Sequence, residues 1–253
     1  MQITIISLLS LSALAYLGVC TLLYTAQRSI LYYPTPETHA PTEQLRIASG
    51  AEQLKVWRLN AGQPRAIIYF GGNAEDVHGN AQLFEQIFGD ATVYLVNYRG
   101  YGGSTGSPTE DGLYRDAESV FDALTKVHSS IAIIGRSLGS GVATYLASVR
   151  DIEKLVLVTP FDSIENVASS RYPIFPMSLL MKDKFLSIDR VASIGSHTLL
   201  LVAEHDEIIP RKHSTALAAA FPPAQVDVHT INDTTHNTID TAPEYRTLLE
   251  EFL

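Results

Sequence analysis

Ser137 stands in the stretch IAIIGRSLGSGV (131–142), where an apolar run stops at Gly135 and a small-residue helical pattern follows. GRSLG (135–139) fits G-x-S-x-G, a strand–turn–helix element that presents a serine hydroxyl on a strained backbone. Gly135 and Gly139 let strand and helix approach closely. The new helix opens with free N–H groups where an anion can form. No G-K-[ST] follows, so a phosphate loop is disfavoured. A serine hydroxyl is a weak nucleophile at neutral pH; it needs a base, and the base needs an orienting carboxylate. The chemistry of such a set is acyl transfer.

In the architecture that uses this elbow the partners follow in the order acid, then histidine, each just past a strand. EHDEIIP (204–210) follows the apolar run HTLLLVA, and Asp206 is the expected orienting acid. Glu204 and Glu207 are its rivals; a short Asp in the turn before IIP is the better fit. Among eight histidines, His236 in NDTTHNT lies just after the last strand-like run and before a C-terminal helix, and is the expected base. His229 falls inside that run, His205 beside the acid, and His197 at the other end of its strand. His39, His78, His128 and His213 fall on linker or helical segments. The loop GGNAED (71–76) follows the run RAIIYF and is expected to give the second oxyanion-stabilising amide. The donors expected are the backbone N–H groups of Asn73 and Leu138, with Ala74 the alternative to Asn73.

These residues need a frame that brings strand ends together. RAIIYF (65–70), TVYLVNY (92–98), IAIIG (131–135), KLVLVTP (154–160), HTLLLVA (197–203) and QVDVHTI (225–231) are short, β-branched and mostly apolar. That pattern marks strands buried on both faces of a parallel sheet. Helix-length segments lie between them: AEDVHGNAQLFEQIF, TEDGLYRDAESVFDALTKV, SLGSGVATYLASV and RKHSTALAAAF. LRIAS and LKVWRLN read as an early hairpin. The fold class is therefore α/β, a mostly parallel doubly wound sheet whose chemistry belongs at the carboxyl ends of its strands.

The first segment differs. Ile3 to Ala26 carries no charged side chain; roughly 24 helical residues reach about 36 Å, enough for a bilayer core. No basic residue precedes it, unlike a signal peptide, so residues 1–26 are expected to be a single transmembrane anchor. LGVC (17–20) lacks a small enough residue at Val19 for a lipoprotein cleavage box. Arg28 just after the segment favours a cytoplasmic domain. Residues 27–43, with three prolines, read as a connector, and 44–253 as one domain. The formal charge of −9 leaves no footprint for nucleic acid. The single Cys20 excludes an intramolecular disulfide. Neither a dinucleotide motif nor a metal-ligand pattern is present in the sequence, so no cofactor and no metal is expected. GYGGSTG (100–106) lacks the G-x-G-x-x-G spacing.

Taken in order, these motifs resemble the α/β-hydrolase superfamily, and within it the small membrane-anchored serine hydrolases of depalmitoylase and lysophospholipase type. QRSILYYP, GGNAED, NYRGYGGSTGSPTEDGLYRDA, GRSLGSGVA, TPFDSI and AEHDEIIP carry the resemblance over nearly the whole chain. It implies an α/β-hydrolase fold with a short lid, here about residues 165–196, rich in Phe, Met, Leu and Pro. It also implies cleavage of ester or thioester bonds in small-molecule or lipid-like acyl substrates. One departure stands out: the family loop begins His-Gly, its histidine bracing the loop, whereas this chain has Gly71-Gly72. A serine peptidase of the same fold and a catalytically silent, membrane-tethered binding protein are the alternatives. The first lacks its usual larger cap here, and the second usually loses one of the three reactive residues.

Overall fold

The computed structural model describes residues 2–253, with side chains from Ser7 onward. β1 (Gln44–Ser49) and β2 (Glu52–Leu59) form the early antiparallel hairpin, and β2 pairs antiparallel with β4 (Ala91–Val96). From β4 onward every pairing is parallel, through β3 (Arg65–Phe70), β5 (Ser130–Arg136), β6 (Lys154–Val158), β7 (His197–His205) and β8 (Val226–Thr235). Among the described residues these make one eight-stranded sheet, ordered β1-β2-β4-β3-β5-β6-β7-β8.

The central strands β3 to β7 are mostly apolar because both faces are covered. Ile67 and Tyr69 of β3 point into a core closed by α2 (Ala81–Ile87) and α8 (Pro243–Phe252). Ala66, Ile68 and Phe70, on the opposite face, pack under α3 (Glu110–Leu124), α4 (Leu138–Val149) and α7 (Arg211–Ala220). The start of α3 is fixed by Thr109, whose side chain accepts the Gly112 amide at 2.9 Å.

Three boundaries differ most from the sequence expectation. AEDVHGNAQLFEQIF is not one helix: Asp76 accepts the His78 amide, and a 3-10 turn over Val77–Asn80 precedes α2. β8 runs four residues past the apolar stretch. Its polar end NDTT extends beside the end of β7, where the register shifts between Ala203 and His205 and Glu204 Oε2 accepts the Asp233 amide at 2.9 Å. α1 (Gln2–Leu31) continues five residues beyond Ala26 and stops before Tyr33-Pro34, where proline disfavours helical backbone in the preceding residue.

Ser7–Leu31 of α1 is long and apolar enough to cross a membrane, with a mean hydropathy of 1.7 over its most apolar 18 residues. Leu8, Leu9, Leu11 and Leu14 are each at least 60% exposed, a surface suited to lipid rather than water. The hydroxyls of Thr21 and Thr25 bond back to the carbonyls of Leu17 and Thr21, so neither is left unpaired. The β6–β7 connection holds α5 (Ile164–Arg171), α6 (Met177–Leu180) and a 3-10 turn over Ile188–Ser193.

Candidate active site

Ser137 sits between β5 and α4 with φ +49° and ψ −115°, a backbone that costs energy for a residue with a Cβ. Its neighbours make the turn possible. A Cβ on Gly139 would collide with the Phe70 carbonyl, and one on Gly135 would stand 2.5 Å from the Ala143 Cβ. The Ser137 amide is tied to the Val158 carbonyl at 2.9 Å. Ser137 occupies the cap position of α4 but its side chain caps nothing. The hydroxyl lies instead 2.9 Å from His236 Nε2.

The structure brings His236 and Asp206 to the same point. His236 follows directly on β8, and its Nδ1 is 2.8 Å from Asp206 Oδ2. The other oxygen of Asp206 accepts the amides of Ile208 (3.0 Å) and Ile209 (2.7 Å), which fixes the carboxylate in the turn after β7. Both side chains are nearly fully buried. A carboxylate only accepts, so Nδ1 carries the proton and Nε2 is left to accept from Ser137. Such a line can take the serine proton as the oxygen attacks a carbonyl. Glu204 Oε2 accepts the Asp233 amide at 2.9 Å.

Beside Ser137 a cavity of about 440 Å³ is bounded by Tyr33, Asn73, Ile208 and His236. Asn73 lies on its wall, and Leu138 opens α4, where the first amide has no partner within the helix. The Asn73 side chain is held on three sides. Its Oδ1 accepts Tyr101 OH (2.8 Å) and the Tyr33 amide (3.0 Å), and its Nδ2 donates to the Leu31 carbonyl (2.6 Å). Tyr98 OH donates to the Gly71 carbonyl at 2.7 Å. Burial raises the Tyr98 hydroxyl well above its ordinary pKa and pushes that of Tyr101 up to about 12, against the opposing pull of the Tyr33 amide, so both stay protonated donors at neutral pH.

A second serine–histidine–aspartate line exists, and it differs in chemistry. His213 Nδ1 is 2.8 Å from Asp162 Oδ1, and His213 Nε2 is 3.1 Å from Ser170 Oγ. Ser170 is helical, within α5, and its single hydroxyl proton is also within reach of the Val167 carbonyl at 2.9 Å. This line staples α5 to α7. Glu204, His205 and Asp233 also place ligand-type atoms within 4.8 Å of one another, two of the three being exposed residues. No motif in the sequence marks them as a site.

A sequence model of the alpha/beta hydrolase fold matches residues 65–179. An uncharacterized protein of Mycobacterium tuberculosis is 33% identical over 82% of this chain and 80% of its own length. The chain belongs to the α/β-hydrolase superfamily. An uncharacterized membrane protein of Saccharomyces cerevisiae is 29% identical over 96% of this chain and 94% of its own. The esterase Pf2001 of Pyrococcus furiosus shares the fold, with a TM-score of 0.70 at 16% identity over 88% of this chain and 97% of that one.

In this α/β-hydrolase the missing loop histidine has a physical replacement. A Cβ on Gly71 would stand 2.6 Å from Val77 Cγ1, so a larger side chain has no room there. Glu75 braces the loop instead. Its Oε2 accepts the Gly72 amide at 2.6 Å, and its Oε1 accepts Tyr69 OH (2.6 Å) and Asn80 Nδ2 (2.7 Å). Arg136 lies 3.7 Å from Glu75 and 3.3 Å from Asp240, and donates to the His236 carbonyl at 3.4 Å. Burial opposes the Arg136 charge, but Glu75, Tyr69 and Asp240 hold its pKa above the ordinary value. None of Glu75, Tyr98, Tyr101 and Arg136 stands out individually in the sequence. The signal available was their place inside GGNAED, NYRGYGG and GRSLG, motifs already marked by their glycines.

Proposed function

We propose that this hydrolase is a serine esterase or thioesterase acting on acyl or lipid-like substrates at a membrane surface. The observation that carries the reading is the hydrogen-bonded line Ser137–His236–Asp206, ending on a strained serine that opens into a cavity. Ser137 Oγ attacks the acyl carbonyl carbon as its proton passes to His236 Nε2. Asp206 holds the imidazole and stabilises the imidazolium. The amides of Asn73 and Leu138 stabilise the tetrahedral oxyanion. The leaving alkoxide or thiolate takes the proton from His236, leaving Ser137 acylated. A water then gives a proton to His236, attacks the ester, and releases the acid as Ser137 recovers its proton.

α1 serves as the membrane anchor, with the domain on the cytoplasmic side that Arg28 favours, and the β6–β7 connection serves as the lid. The test is hydrolysis of a short p-nitrophenyl ester by the full chain and by Ser137→Ala. The variant is expected to lose at least about 10³-fold in kcat. Equal turnover by the two proteins contradicts the proposal. A preference for peptide amides over acyl esters would assign the site to a peptidase.

A further inference from the structure

We infer that the end of α1 is not only a tether but one wall of the acyl-binding groove, and that the substrate's chain enters that groove from the bilayer. The inference rests on the esterase reading above. Between α1 and the β6–β7 connection lies an apolar cavity of about 150 Å³. Leu23, Ile30 and Leu31 come from one side, and Ile164, Ala168 and Met177 from the other. Gln27 and the half-exposed Tyr172 are the residues on its wall with polar groups, and the Gln27 amide is occupied: Nε2 donates to the Leu180 carbonyl (3.0 Å), and Oε1 accepts the Lys182 amide (2.6 Å). The rest of the lining is hydrocarbon.

The groove is built rather than incidental. Arg28 donates twice to the buried Asp183, at 2.9 and 3.2 Å, and Tyr32 OH reaches the same carboxylate at 3.2 Å. Further down the helix, Tyr16 OH donates to the Ile174 carbonyl (2.7 Å), and the Tyr16 ring stacks on Phe175 at 5.6 Å. The connection therefore runs beside α1 over its last four turns, roughly 22 Å at 1.5 Å per residue. Beside α1 it carries Ile174 and Leu179, 71% and 79% exposed, apolar surface that a bilayer would cover.

The groove lies close to the catalytic cavity. Leu31 lines the groove, Tyr33 lines the cavity, and both are hydrogen-bonded to Asn73. A chain with its carbonyl at Ser137 thus has an apolar slot at hand that ends on a lipid-facing helix. On the esterase reading, that proximity and the apolar lining select an acyl chain as the occupant over another protein helix.

The test uses the full chain in phosphatidylcholine nanodiscs and p-nitrophenyl esters from butyrate to palmitate. Ala168→Trp fills the groove. Ile30→Asn makes it polar at a position that is already half exposed. Each is expected to lower the palmitate-to-butyrate ratio of kcat/KM by about ten-fold or more, the worth of roughly two buried methylenes. Val127→Trp, on exposed surface outside the groove, leaves the ratio unmoved. An unmoved ratio in both groove variants of an esterase-active protein overturns the groove alone. A wild-type protein that neither hydrolyses an ester nor takes a fluorophosphonate overturns the esterase reading and the groove together. A ratio change that comes with loss of a crosslinked dimer assigns the groove to a second copy's helix and overturns the inference.

Discussion

Ser137 is asked for two things, and the structure separates them. Its backbone opens α4, and its side chain is released from capping to face His236. Asp206 then decides which imidazole nitrogen is protonated. Asp206→Asn keeps the shape but offers Nδ1 a donor as well as an acceptor, so the productive tautomer is no longer enforced. We expect kcat to fall by about 10³- to 10⁴-fold with KM little changed, read by steady-state ester hydrolysis. Glu75 acts through the loop rather than on substrate. Glu75→Gln weakens the bond to the Gly72 amide and leaves Arg136 short of a partner. A loop shifted by about 1 Å loses up to about 10²-fold in kcat. The expected signature is a kcat loss with KM retained, and a KM rise at constant kcat would contradict a positioning role.

At the scale of elements, the elbow depends on contact between α4 and the end of β3. Gly139→Ala would press a methyl into the Phe70 carbonyl. Such overpacking costs typically about 1–3 kcal/mol, to be read as a lower midpoint in urea, and an unchanged midpoint would show that the turn has slack. The three residues proposed for catalysis are found in the sequence because each follows a strand that announces itself by apolar, β-branched composition. What surrounds them is not. Tyr98 reads as the end of a strand and Tyr101 as part of a glycine-rich loop, and only the fold brings both hydroxyls onto Gly71 and Asn73. The far end of β8, NDTT, has no apolar residue although Thr234 is buried, so hydrophobic periodicity gives no sign of it as strand. The end of α1 was equally hidden: Gln27 and Arg28 look like the start of a solvated connector, yet both are bound by the β6–β7 connection.

Over the whole molecule, α1, the β6–β7 connection and the GGNAED loop form one hydrogen-bonded unit, in which the buried tyrosines are neutral structural donors. That gives an alkaline limit. The folded-state pKa of Tyr101 lies at about 12 against an ordinary 10.0, chiefly through burial. Its contribution is complete below pH 10 and is lost as the pH rises through about 12. Melting temperature should therefore hold up to about pH 9.5 and then fall, less steeply in Tyr101→Phe; an equal fall in both would place the effect elsewhere. The central claim, that Ser137 is the nucleophile, is tested most directly by mapping a fluorophosphonate adduct on the full chain by mass spectrometry. We predict one adduct, on Ser137, absent from Ser137→Ala and slowed in His236→Gln. An adduct on Ser170, or none on the folded protein, would contradict it.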